Sequence, residues 1–89
     1  MSKVYVLTIE NYDALDDYMT TLDAKAFLDK TACEKWLEKE TKRQNKNGFH
    51  AVDYDTDRDH WEFNKDAIHG SYRHIFHGRY CEVIGGEQR

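Results

Sequence analysis

A single segment with helical periodicity lies among segments with the periodicity of strands, and this arrangement constrains the fold more than any other feature of the chain. The segment opens with a capping box at 31–34, in which the Thr31 side chain caps a backbone N–H and Glu34 reaches back. Asn47-Gly48 is typical of a helix C-terminus. The positions between them form one apolar stripe, made of Ala32, Cys33, Trp36, Leu37 and the stem of Glu40. The sequence therefore predicts one amphipathic helix that begins at Thr31.

Strand-like segments lie on both sides of this helix. Residues 4–9 are all strong β-formers, and the later segments alternate between apolar and polar positions. The predicted strands cover residues 3–10, 18–28, 49–54 and 60–63, with two further candidates at 72–76 and 80–84. Strands with one amphipathic helix indicate an α+β fold, in which the helix packs on one face of a mostly antiparallel sheet of four to five strands in the order β-β-α-β-β-β. The first two strands are expected to form a hairpin, and the open face of the sheet is the expected docking surface.

Composition indicates one small domain in a reducing compartment. The 89 residues are 39% hydrophobic and 13% aromatic, which is enough for a compact core. We expect a single domain over residues 1–84 and a flexible tail over 85–89. Cys33 and Cys81 form no CxxC motif, and the N-terminus has no apolar leader segment. We therefore expect a cytoplasmic protein with two reduced thiols and no membrane association.

The charge is unevenly distributed along the chain. The net charge is −4, and residues 51–68 carry six acidic and two basic groups, while residues 31–50 carry three acidic and five basic groups. A general DNA-binding protein would be basic as a whole. An acidic surface favours a partner with a basic surface, and such complementarity mainly raises the association rate and selectivity.

Acidic residues occupy every second position from Asp53 to Asp59, just before the predicted strand at 60–63. Asp53, Asp55 and Asp57 fit the first three ligand positions of an EF-hand loop. Arg58 replaces the required glycine and Asn64 replaces the bidentate glutamate, so a calcium loop is not predicted. The pattern is more typical of a hairpin whose turn and exposed face are acidic.

Histidines follow this acidic segment and suggest an alternative site. Imidazole and carboxylate groups are ligands for transition metals. The candidate metal ligands are His60, His69, His74 and His77, with Asp57, Asp59 or Glu62. His74 and His77 share a face only on a helix, because residues three apart on a strand point to opposite faces. Surface histidines without a metal are the simpler interpretation.

A catalytic site is not predicted. Cys81 is near His77 in the sequence, but Cys81 lies in a strand-like run and Cys33 lies on the apolar helix stripe. Both resemble small buried hydrophobic residues. The chain has no Gly-rich phosphate loop and no GxSxG motif, so we expect a protein that is not an enzyme and needs no cofactor.

A single-stranded nucleic acid is a further candidate partner, besides a basic protein surface and a metal ion. Basic residues alternate with aromatic residues near the end of the chain, as they do on sheets that stack and neutralise single strands. The residues concerned are Tyr72, Arg73, His74, Phe76, His77, Arg79 and Tyr80. The RNP pattern of an RRM is absent, and a core strand with outward arginines is the more ordinary interpretation. Direct nucleic-acid binding is therefore not our first expectation.

The chain resembles the small, acidic, single-domain accessory proteins of phages and mobile elements. The resemblance lies in the first strand, Lys3-Val4-Tyr5-Val6-Leu7-Thr8, and in the entry to the helix, Phe27-x-x-x-x-Ala32-x-x-x-Trp36-Leu37. It covers about the first half of the chain. Proteins of this group often bind a host enzyme, including defence nucleases, and inhibit or redirect it. The resemblance implies no functional residues, because no family-defining site is matched.

These observations combine into one leading hypothesis. We expect a non-enzymatic inhibitor or modulator, forming a homodimer, that docks on the basic surface of a nucleic-acid-handling enzyme, because the substrate channel of such an enzyme is positively charged. A second acidic patch is formed by Asp13, Asp16 and Asp17. The predicted partner-binding residues are Asp53, Asp55, Asp57, Asp59, Trp61 and Glu62.

Overall fold

Five antiparallel strands form one sheet in this computed structural model, which describes residues 3–14, 19–68 and 70–83. The strands have the order β2-β1-β5-β4-β3, so β5 joins two hairpins, β1–β2 and β3–β4. The predicted α+β class and the order β-β-α-β-β-β are confirmed. The elements are β1 (Lys3–Tyr12), β2 (Met19–Phe27), α1 (Lys30–Lys46), β3 (His50–Asp55), β4 (His60–Ala67) and β5 (Gly70–Glu82).

The helix covers one face of the sheet and defines where the core lies. Cys33 and Leu37 of α1 are fully buried against inward-facing side chains of the three central strands. Removing each large apolar side chain from water contributes about 1.5–3 kcal/mol. We call this side the helix-covered face, and its buried strand residues are Tyr5, Leu7, Ile9, Trp61, Phe63 and Phe76.

The opposite side is the open face, on which no described element packs. Alternation along the strands places the remaining side chains there. Register fixes which residues lie side by side: Val6 pairs with Arg79, and His60 pairs with His77. The open face carries Val4, Val6, Thr8, Glu10, Leu22, Ala24, Ala26, His50, Asp53, Asp55, His60, Glu62, Asn64, Asp66, Arg73, Ile75, His77, Arg79 and Cys81.

The helix N-cap lies two residues earlier than the capping box predicts. Asp29 is the N-cap, with an extended backbone, and its carboxylate accepts a hydrogen bond from the Ala32 N–H at 2.9 Å. Thr31 is therefore inside the helix, and its predicted role as the cap is wrong. The C-terminal prediction is confirmed, because Asn47 is the C-cap and Gly48 follows with a φ of 90°.

The last two predicted strands are one strand in the structure. The prediction treated Gly78 as a break, but β5 continues through it and pairs with β1 from Arg73 to Glu82. A Cβ atom at this position would lie 2.0 Å from the Tyr5 hydroxyl oxygen. Glycine is therefore required here by close packing, not by a turn. The other strands differ from their predicted bounds by a few residues at their ends, most of all β4, which ends at Ala67.

Several predictions fall outside the described residues. These are the domain boundary and tail at 84–89, His69 as a metal ligand, and Asp16 and Asp17 of the second acidic patch. Within the ranges given above, no helix is both long enough and apolar enough to cross a membrane.

Candidate functional site

Three of the predicted acidic contact residues lie together on the open face. Asp53 of β3 pairs directly with Glu62 of β4, and Asp55 pairs with His60 in the next row. Directly opposed residues on antiparallel strands have Cβ atoms about 5 Å apart, so these carboxylates form one cluster. The Asp53 side chain is 47% exposed. We call Asp53, Asp55 and Glu62 the acidic cluster.

The β3–β4 turn holds the fourth acidic residue away from this cluster. Asp57 is exposed within the turn, next to Arg58. The Asp55 carboxylate accepts a hydrogen bond from the Arg58 N–H at 3.2 Å, which stabilises the turn. Asp57 therefore lies at the end of the hairpin, apart from the acidic cluster.

Asp59 faces inward and does not belong to the acidic cluster. Its backbone is left-handed, with a φ of 56°, and its carboxylate accepts a hydrogen bond from the Tyr5 hydroxyl and contacts Lys30 Nζ at 2.8 Å. Burial works against ionisation of Asp59, but the hydrogen bonds from Lys30 and Tyr5 prevail and hold its pKa below the usual range. The same contact raises the pKa of Lys30. Asp59 therefore fixes the start of α1 to the hairpin.

Trp61, the aromatic residue predicted to contact a partner, lies in the core. It is fully buried and makes an edge-to-face contact with Tyr54, with ring centroids 6.4 Å apart. Alternation places it on the helix-covered face, opposite to its neighbours His60 and Glu62. The acidic surface therefore excludes Trp61.

The histidines are divided between the two faces. His60 and His77 are side by side on the open face, with their Nδ1 atoms 3.2 Å apart. His74 lies on the helix-covered face, so it does not join them. Within the described part of the chain, no group of three or more His, Cys, Asp or Glu side chains is arranged to hold a metal ion.

A pocket of about 300 Å³ lies between α1 and the helix-covered face around His74. Gln44 Nε2 donates to Glu40 at 2.7 Å, so the Gln44 oxygen faces His74 and accepts from its Nδ1 at 2.9 Å. His74 also stacks on Phe49, with ring centroids 4.1 Å apart. Burial is the main cause that lowers the pKa of His74; the Glu40 carboxylate acts against this shift and the Arg43 guanidinium adds to it. The imidazole is therefore neutral near pH 7.

Sequence reasoning missed the polar network of this pocket. Glu40 and Gln44 are each only 5% exposed, although both residue types usually face water. Their spacing of four residues on the apolar stripe was the available signal. Glu40 is also paired with Arg43, whose Nε donates to it at 2.9 Å. Because these charges are satisfied internally, we assign the network the role of holding α1 on the sheet.

The basic and aromatic residues of β5 lie on opposite faces. Tyr72 and Phe76 are on the helix-covered face, and Phe76 is buried. Arg73 and Arg79 point to the open face, where the Arg73 guanidinium lies 4.6 Å from the centre of the Tyr12 ring. The interleaving seen in the sequence is therefore strand alternation. It does not place stacking and neutralising groups on one surface.

An aliphatic area adjoins these charges and was also missed. Leu22 is 63% exposed and is paired with Glu10 of β1. The apolar residues that share the open face with it on these two strands are Val4, Val6, Ala24 and Ala26. The open face thus consists of an aliphatic area on β2 and β1, arginines on β5 and the acidic cluster on β4 and β3. No protein-family model matches the chain, and comparisons with curated proteins and with solved structures found no match.

Proposed function

We propose that this chain is a non-enzymatic protein-binding module whose open face docks on a basic surface of its partner. The observation that carries the proposal is the acidic cluster, in which Asp53, Asp55 and Glu62 lie on neighbouring strands of an uncovered sheet face. Converging carboxylates attract a cationic surface and repel an anionic one.

A nucleic-acid-handling enzyme is the proposed partner. Its substrate channel is positively charged because it neutralises phosphates, so an acidic surface can occupy the same channel. The resemblance to phage accessory proteins favours the same class and suggests inhibition or modulation of a host defence enzyme. We propose the homodimer as well, because Leu22 is an exposed apolar side chain on the open face that a second copy can cover.

Charge neutralisation tests the docking proposal. A variant with Asp53→Asn, Asp55→Asn and Glu62→Gln keeps the side-chain shapes and removes three charges from the open face. The immobilised wild-type protein first captures the enzyme from a lysate of the source organism. Association of the wild type and the variant with the purified enzyme is then followed at several salt concentrations, in buffer that contains a metal chelator. We expect the variant to associate more slowly and with a flatter salt dependence, because electrostatic attraction mainly raises the association rate.

The matched control removes charge from the helix instead. Glu34→Gln with Glu38→Gln lowers the negative charge on the other side of the molecule and is expected to leave association unchanged. Equal association rates for the wild type and the open-face variant would show that the acidic cluster does not contact the partner. A purified partner without nucleic-acid activity would remove the proposed partner class.

A further inference from the structure

We infer that His60 and His77 form a two-histidine binding site for a divalent transition-metal ion of the zinc, nickel and copper class. The pair lies on the open face, with His60 on β4, which is next to the edge strand β3, and His77 on the central strand β5. The inference goes beyond the docking proposal and does not depend on it, because a metal ion can bind the isolated chain.

The spacing of the two imidazoles matches that of two ligands of one metal ion. His60 and His77 are direct register partners, with ring centroids 4.7 Å apart and Nδ1 atoms 3.2 Å apart. A zinc–nitrogen distance of about 2.0–2.1 Å and a tetrahedral angle separate two ligand nitrogens by roughly 3.3–3.4 Å. The two Nδ1 atoms therefore need little movement to chelate an ion.

A carboxylate orients one of these ligands. Asp53 Oδ2 lies 3.5 Å from Nε2 of His60, on the side of the ring away from His77. This position favours the tautomer with its proton on Nε2, which leaves the Nδ1 lone pair directed at the shared site. Carboxylate–histidine–metal arrangements of this kind fix the ring and increase its basicity as a ligand.

The surroundings favour a cation and leave coordination positions open. Asp55 is the register partner of His60, and Glu62 lies two residues along β4 on the same face. Their negative charge attracts a divalent ion, and imidazole suits zinc, copper and nickel more than calcium or magnesium. The protein supplies two ligands, so water completes the coordination and the affinity is lower than that of a closed structural zinc site.

Metal titration of the purified full chain tests this site. Calorimetry with Ni²⁺ or Zn²⁺ alone is expected to show one ion per chain for the wild type and loss of this binding in both His60→Ala and His77→Ala. His50→Ala is the matched control, because His50 is an exposed histidine on the same face and is expected to bind as the wild type does. Binding should also raise the Tm of the wild type, and a chelator should reverse the rise.

A spectroscopic measurement separates this site from nonspecific binding. The electron paramagnetic resonance spectrum of bound Cu²⁺ is expected to show two imidazole nitrogens in the wild type and fewer in His77→Ala. Asp53→Asn should weaken metal binding by about 10–100-fold, the usual effect of removing a carboxylate that supports a ligand. Asp57→Asn serves as its control.

Two results would overturn the inference. One is the absence of metal binding to the wild type, which would leave the contact as a hydrogen bond between the two rings. The other is equal binding by the wild type and both alanine variants, which would place the ion elsewhere. Docking is measured with a chelator present, so the two proposals succeed or fail separately.

Discussion

At the level of single residues, His74 is a titratable side chain held largely out of water between α1 and the sheet. It is stacked on Phe49 and donates to Gln44, while Glu40 and Arg43 supply opposing charges nearby. Burial is the largest of these influences and lowers the pKa of His74 from its ordinary 6.5. The folded state therefore holds a neutral imidazole that the unfolded chain would protonate in mild acid.

This difference predicts a pH-dependent stability. The unfolded chain binds more protons than the folded chain below pH 6.5, so the contribution of His74 is complete above that pH and is lost as the pH falls through its folded pKa. Urea unfolding between about pH 8 and 5 is expected to show a smaller pH dependence of the unfolding free energy in His74→Gln than in the wild type. Thr31→Ala removes no titratable group, so it is the control and should keep the wild-type dependence. An unchanged dependence in His74→Gln would mean that folding does not lower the pKa of His74.

The helix illustrates how one element is positioned by contacts at its first turn. Asp29 and Thr31 are both good capping residues, two positions apart, and local sequence rules favour the one that is followed by Glu34. Tertiary contacts decide otherwise, because Lys30 Nζ contacts Asp59 and its backbone N–H donates to the Tyr80 hydroxyl at 3.0 Å. These contacts hold the helix start at Lys30, which makes Asp29 the cap.

Capping variants test this assignment. Asp29→Ala is expected to lower the unfolding free energy by about 0.5–2 kcal/mol, because the Ala32 N–H loses its acceptor. Thr31→Ala changes an exposed side chain within the helix and should stay within about 0.5 kcal/mol of the wild type. Chemical denaturation of both variants measures the difference. A larger loss in Thr31→Ala than in Asp29→Ala would restore the capping box that the sequence suggested.

The whole molecule depends on one core beneath one helix. Cys33 lies at its centre, fully buried, while Cys81 is partly exposed on the open face, and both are free thiols. Burial is the main cause that raises the pKa of Cys33 to about 11. A single small core favours two-state unfolding, so Cys33 should become accessible only when the whole domain opens.

Thiol labelling tests this cooperativity. Under native conditions at neutral pH, an alkylating reagent is expected to modify Cys81 and leave Cys33 unmodified, since the thiolate is the reactive form. Both should react in denaturant, and the labelling of Cys33 in Cys81→Ser should follow the global unfolding curve. Mass spectrometry gives the number of modified thiols. Rapid native labelling of Cys33 would show that α1 opens independently of the sheet.

Local patterns were sufficient for the fold class but not for the details of the site. The apolar stripe through Cys33 and Leu37 and the alternation in β4 each predict an element from its own residues. Gly78 was taken as a break because its role depends on Tyr5, which is distant in the sequence. The pocket around His74 likewise joins residues of α1 and β5 that only the folded chain brings together.

The types and order of the elements were determined by the sequence alone, because hydrophobic periodicity and turn residues act over a few neighbours. Only the tertiary structure decided how the alternate aspartates at positions 53 to 59 are distributed between the open face, the turn and the interior. Asp53 and Asp55 share the open face, but the turn at 56–59 changes the alternation, so even-numbered residues face outward in β4. Asp59 consequently turns inward to Lys30, and Trp61 enters the core. The alternation within β4 separates Trp61 and Phe63 from His60 and Glu62. It does not fix how the turn connects the faces of β3 and β4, because that depends on where the helix packs.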